Sequence, residues 1–190
     1  MLSISFVPEK PVDKLLHKFR SDKALQYVKP GSIVCDLGCG LKGSFLKKIE
    51  GTISKGFGFD LFVNNQFDSD KIKLQPLDLN SKIPLPDSSV DMVTAMAVLE
   101  HLNDYQTFIR EIYRILKKEG TLVLSTPTRL VDPVIKTLGF LGLIDNEEAH
   151  DHKRYFDTEQ LTELLENSGF SDIKVNKFQL GFNQLAVGKK

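Results

Sequence analysis

Residues 32–43 read Ser32-Ile33-Val34-Cys35-Asp36-Leu37-Gly38-Cys39-Gly40-Leu41-Lys42-Gly43, a short apolar run that breaks into closely spaced glycines. The apolar half has the length and content of a buried strand. The glycines let the backbone turn sharply at the strand's end and come close to a ligand. Gly38, Gly40 and Gly43 fit the pattern G-x-G-x-x-G, and Asp60 follows about twenty residues later. Phe45, Leu46 and Ile49 then space a short helix that Gly51 stops. Strand, glycine turn and helix are the opening unit of an α/β sheet.

The same alternation extends in both directions. Further strands are expected at Gly56–Asp60, Ile72–Leu77, Val90–Met96 and Thr121–Ser125. Between the second and third, Phe62 to Asp70 is too short and polar for a full helix. Asp104 reads as an N-cap for a helix carrying Phe108, Ile109, Ile112, Ile115 and Leu116, closed by Gly120. Val12, Leu15, Leu16, Phe19, Leu25 and Val28 predict one or two helices within residues 1–30, ending at Pro30-Gly31. Asp132-Pro133 opens an apolar segment to about Leu143, and Asp157 with Gln160 forms a capping-box start for a helix to Gly169. The runs Ile173–Leu180 and Phe182–Val187, parted by one glycine, predict an antiparallel hairpin. The expectation is a single α/β domain over 1–190. Its sheet is Rossmann-like, doubly wound, mostly parallel and seven-stranded, with the C-terminal hairpin at one edge.

Composition narrows the function. The chain has 190 residues, 41% hydrophobic and 26% charged, which argues against disorder. Lys plus Arg equals Asp plus Glu at 25 each, so no cationic excess points to nucleic acid. The apolar runs fall short of the ~20 residues a spanning helix needs. The start, Met1 to Val7, lacks a basic region followed by a long apolar stretch. A soluble, cytoplasmic protein is expected. Cys35 and Cys39 are too few for a disulfide framework or a zinc site, and they read as small reduced residues filling the turn.

Ligands of such sheets sit beyond the carboxyl ends of the strands. The glycine spacing alone would suit a dinucleotide, but Asp36 stands two residues before Gly38, where a pyrophosphate would lie. Like charges there repel, and exclusion of water magnifies the cost. The same carboxylate suits a ligand bearing an ammonium and a sulfonium. Asp60, ending the second strand, can accept hydrogen bonds from both hydroxyls of a ribose. Asp78, in Leu77-Asp78-Leu79, is placed to receive an adenine amino group.

Val34-Cys35-Asp36-Leu37-Gly38-Cys39-Gly40 resembles the first motif of the class I S-adenosylmethionine-dependent methyltransferases. Leu85 to Val93 followed by Leu99-Glu100-His101-Leu102, Arg114 to Val123, and His152-Lys153-Arg154-Tyr155-Phe156 are similar to later segments of that family's small-molecule branch. The match runs over roughly residues 20 to 190. It implies S-adenosyl-L-methionine as cofactor and a small-molecule methyl acceptor. It also implies that Asp36, Gly38, Cys39 and Gly40 surround the methionine moiety, that Gly43 belongs to the cofactor-binding turn, and that Asp60 holds the ribose. Leu61 would pack beside the adenosine, Leu77, Asp78 and Leu79 would hold the adenine, and Ala95 and Met96 would floor the site. The reduced crossover at Asn64–Asp70 departs from the family pattern and leaves the adenine side more open. Two alternatives stay open: an NAD(P)-dependent oxidoreductase, and a non-catalytic subunit that binds the same cofactor.

Oxygen, nitrogen or carbon acceptors can call for a base. His101, and His150 or His152, are the candidates; the pair around Asp151 has no third ligand at defined spacing, so no metal is expected. Residues 127–156 are expected to form a lid or substrate region, because Val131 to Ile144 is more apolar than one helix face needs. No Asn/Asp-Pro-Pro-Tyr sequence follows the fourth strand, which disfavours base methylation of nucleic acid. The acceptor and the oligomeric state are not legible.

Overall fold

The computed structural model describes residues 11–131 and 154–190, with side chains from Lys18 onward. Residues 132–153 of the expected lid or substrate region, His150 and His152 among them, therefore lie outside the described residues. Strands β1 (Ile33–Leu37), β2 (Lys55–Asp60), β3 (Ile72–Pro76), β4 (Val90–Met96), β5 (Leu116–Pro127), β6 (Ser171–Phe178) and β7 (Asn183–Lys189) form one sheet of seven strands in the order β3-β2-β1-β4-β5-β7-β6. The first five are parallel; β7 enters antiparallel between β5 and β6. The strand order reverses between β1 and β4, so the crevice at that switch opens beside the glycine turn.

Alternation along each strand splits the core in two. Cys35, Leu37, Val93, Ala95, Leu122 and Leu124 face helix α3 (Tyr105–Ile115) and helix α4 (Thr158–Asn167), through Phe108, Ile109, Ile112, Leu161 and Leu165. Val34, Met92, Met96 and Val123 face helix α1 (Pro11–Leu25) and helix α2 (Ser44–Ile49), through Ala24, Phe45, Leu46 and Ile49. By the same alternation Asp36 and Thr94 project to the α1/α2 side, and burial on both sides explains why these strands read as continuous apolar runs.

The caps at Asp104 and Asp157 form as the sequence predicts, each side chain accepting a backbone N–H of the first turn. Between β2 and β3 the chain makes one 3-10 turn at Asn65–Phe67, in line with the expected absence of a helix. Three details differ from expectation. Among the described residues the expected N-terminal helix is α1, which ends at Leu25, short of the predicted Pro30-Gly31. Helix α3 stops at Ile115 and β5 begins at Leu116, earlier than the predicted Thr121. Val90 pairs with Leu116 and Met92 already with Thr121, so residues 117–120 bulge out of the ladder. Asp91 holds that bulge, accepting from Ile33 N at 2.8 Å and from Lys117 Nζ at 2.8 Å. The hairpin turn is also longer than one glycine: Gln179–Gly181 form a 3-10 turn in which Gln179 and Leu180 take positive φ (51° and 57°).

Candidate functional site

Parallel pairing brings the carboxyl ends of β1 to β5 to one edge, where nearly all the candidate residues gather. Asp36, near the end of β1, is 4% exposed and accepts a hydrogen bond from Thr94 Oγ1 on β4 at 2.6 Å. Burial pushes its carboxyl up to about 7, while the Thr94 bond pulls it down and nearby Asp60 raises it further. In the ligand-free protein the carboxyl is thus held well above the ordinary aspartate range.

The glycine turn is held from within. Gly38 N and Cys39 N both donate to Phe59 O, at 2.8 and 3.2 Å, and Gly40 N donates to Asp60 Oδ2 at 2.9 Å. Gly38 sits at φ 79°, and a Cβ there would lie 2.4 Å from Val98 Cγ2. The space over Gly40 is open. Gly43 precedes α2 and packs against Leu74, so its place is helix–strand packing. Cys35 and Cys39 are free thiols, both buried, and burial raises both well above the ordinary thiol range. Cys39 fills the turn, as expected, whereas Cys35 packs within β1 in the core on the α3 side.

Half-buried Asp60 also takes Phe62 N on Oδ1 at 3.3 Å, and a carboxylate so placed keeps lone pairs for a ligand's hydroxyls. Leu61 and Phe62 beyond it are 60% and 59% exposed, an uncovered apolar step beside the carboxylate. Asp78 is exposed and turns back on its own loop, Oδ1 accepting from Asn80 N and Nδ2 at 2.9 Å each. Asn80 Oδ1 in turn accepts Asn103 N at 3.0 Å, which ties the β3 and β4 ends together. Leu77 is half-buried, while Leu79, Ala95 and Met96 are core residues. The backbone of Ala95 and Met96 reaches the edge; the Leu79 side chain packs in the α3 core.

The β4 end holds a residue the sequence reading quoted without giving it a role. Glu100 lies on a 3-10 turn, Leu99–His101, and is fully buried. Its Oε2 accepts from Thr126 Oγ1 of β5 at 3.2 Å, and its Oε1 has no hydrogen-bond partner among the described residues. Burial raises its carboxyl above the usual range, against the pull of its own backbone N–H and the charges of His101 and Arg20. The signal was an acid between leucines in Leu99-Glu100-His101-Leu102, legible only once both leucines prove buried. Half-buried His101 sits on the same turn. An open cleft of about 540 Å³ between the starts of α3 and α4, lined by Tyr105, Arg110, Arg154 and Phe156, contains none of the strand-end residues. Among the described residues no cluster of metal-ligating side chains occurs, and no helix is long and apolar enough to cross a membrane.

The site fits an adenosyl sulfonium better than a diphosphate. A phosphate-binding turn presents free backbone N–H groups, whereas here three successive amides are engaged inside the chain and a buried acid lies behind them. Comparison with known proteins agrees. A family model described as Methyltransferase domain matches residues 8–175. A "Probable S-adenosylmethionine-dependent methyltransferase" of Mycobacterium tuberculosis is 38% identical over 93 residues, covering 49% of this chain and 31% of that protein. The match thus spans about a third of the mycobacterial relative's length. A demethylmenaquinone methyltransferase of Lactobacillus johnsonii is 27% identical, covering 86% of this chain and 78% of the relative. A crystal structure titled as a SAM dependent methyltransferase from Archaeoglobus fulgidus shares the fold, with TM-score 0.71, 21% identity and coverage of 93% and 94%. The chain belongs to the methyltransferase domain family, and its fold is that of the class I S-adenosylmethionine-dependent enzymes.

Proposed function

From that membership we propose that the protein transfers the methyl group of S-adenosyl-L-methionine to a small, partly apolar acceptor carrying an acidic hydroxyl. The observation that carries the reading is the closed glycine turn over Asp36, which suits a cation and leaves no amide set for a diphosphate. The bound sulfonium supplies a methyl group on a good leaving group. The chain's task is then to hold and orient, a contribution worth up to roughly 7–11 kcal/mol in the best model systems.

In this reading Asp36 and the turn from Gly38 through Cys39 to Gly40 face the methionine moiety, with Asp36 drawn to its ionised form by the cation. Asp60 accepts the ribose hydroxyls while fixing Gly40, and exposed Leu61 lies along the adenosine. Leu77 and Asp78 line the adenine side, Leu79 supports them from the core, and Ala95 and Met96 form the floor. His101 belongs to the acceptor side, on the other flank of β4. The acceptor class draws on the Lactobacillus johnsonii relative, whose name specifies a demethylmenaquinone, a quinone whose reduced form bears such hydroxyls.

Calorimetry with S-adenosylhomocysteine and NAD tests the cofactor. Binding of the first and not the second is expected; the reverse ends the proposal. Transfer of labelled methyl to 1,4-dihydroxynaphthalene, kept reduced by dithionite, tests the acceptor class.

A further inference from the structure

The cleft between α3 and α4 lies off the strand edge, and its lining is rich in hydrogen-bond donors. Arg110 of α3 and Arg154, ahead of α4, both line it; Glu163 of α4 is the one carboxylate among the described lining residues. Arg154 is half-buried, and its guanidinium lies over the Tyr105 ring, with Cζ 4.4 Å from the centroid. Tyr105 is in turn held edge-on against Phe156, the centroids 5.2 Å apart and the planes at 71°. A guanidinium stacked in this way has a fixed plane, and its N–H groups point outward in that plane toward a partner beside it. Nε is shielded and has no hydrogen-bond partner among the described residues, so the terminal nitrogens are the donors left to the cleft. Arg110 uses one N–H on Thr107 Oγ1 at 3.0 Å, which leaves the guanidinium's other N–H groups. Gln160 turns Oε1 to Asp157 N at 3.0 Å in the cap of α4, and this leaves its Nε2 as a donor.

We propose that this cleft binds a small monocarboxylate with an apolar body, at a site separate from the cofactor crevice. The carboxylate meets the terminal N–H groups of Arg154 and Arg110, a planar match that a guanidinium makes with two parallel bonds. The body lies against Tyr105, Phe156 and Leu164 of the same lining. A volume of about 540 Å³ is that of a small-molecule site and has room for a ring. Charge selects the anion. Two guanidiniums against the single carboxylate of Glu163 leave one positive charge in excess, which a monoanion neutralises. A phosphate dianion would bring a second negative charge toward Glu163. Since the lining holds none of the strand-end residues, the proposal stands apart from the methyl-transfer reading.

The test follows 4-fluorobenzoate by fluorine NMR on the full chain, with acetate and inorganic phosphate as competitors. Wild type should bind the probe saturably in the millimolar range or tighter, and neither competitor at equal concentration should displace it. Arg110→Gln and Arg154→Gln should each weaken the probe roughly tenfold or more, as for a lost charge-assisted bond. Arg154→Lys should recover little of that loss, because an ammonium lacks the planar fork. Glu163→Gln should tighten binding by about two- to fivefold, a gain that a merely structural role would not produce. Saturating S-adenosylhomocysteine should leave the probe bound. Should Arg154→Gln fail to fold, Arg110→Gln decides, since Arg110 is exposed on α3. Absence of saturable binding, wild-type affinity in Arg110→Gln, or displacement by S-adenosylhomocysteine overturns the site. Displacement by phosphate overturns the carboxylate assignment, and displacement by acetate overturns the role of the apolar body.

Discussion

Asp36 shows how a residue's meaning changes between sequence and structure. Its position before Gly38 marks it as a ligand-facing acid, but burial beside Thr94 raises its carboxyl to about 7. For a carboxyl raised on folding, the stabilising share is present below the unfolded value and lost as pH rises through about 7. Between pH 4 and 8 that share is roughly 4 kcal/mol. Asp36→Asn should therefore raise the melting temperature of the ligand-free protein at pH 8 more than at pH 5, while weakening cofactor binding. A gain independent of pH would refute the buried acid. A bound cation favours the ionised form, so wild-type affinity for S-adenosylmethionine should climb from pH 6 to pH 8 and then level, measurable by calorimetry. Asp60→Ala should weaken that affinity by about 1.5–3 kcal/mol, as for a lost charged hydrogen bond. Unchanged affinity would show that Asp60 serves only the turn.

At the scale of elements, two segments noticed separately in the sequence turn out to hold each other. Arg114, on the last turn of α3, donates to Ile83 O at 2.9 Å, Leu85 O at 2.9 Å, Asp87 Oδ1 at 2.7 Å and both oxygens of Glu111. Glu111 Oε2 also accepts Ile83 N at 3.0 Å. The loop before β4 is thereby pinned to the helix after it, which fixes where β4 begins. Arg114→Met should cost roughly 2–3 kcal/mol, because backbone carbonyls and a part-buried acid lose their donors. Arg114→Lys should recover little, since an ammonium cannot reproduce the planar fork. Chemical denaturation measures both, and a rescue by lysine would argue for charge alone. Caps and apolar spacing were legible here because they are local. The early end of α3 was not, because Val90 takes Leu116 as a strand partner from a distance the sequence does not display.

For the molecule as a whole, the C-terminal hairpin closes the sheet. β7 is buried along nearly its whole length and pairs with β5 from Thr121 to Pro127. Removing residues 171–190 would bare that edge of β5 and open the core around Leu185 and Val187. The truncated chain should lose its cooperative thermal transition and aggregate; a soluble, cooperatively melting product would show that β1 to β5 suffice. By itself the sequence determined the α/β alternation, the glycine turn and the acids at the strand ends, because periodicity, turn chemistry and capping act over a few residues. Which groups meet was decided only by the packed sheet. Asp36 against Thr94, and Glu100 beside Thr126, are contacts between segments distant in sequence, and the charge each acid carries depends on the water that packing removes.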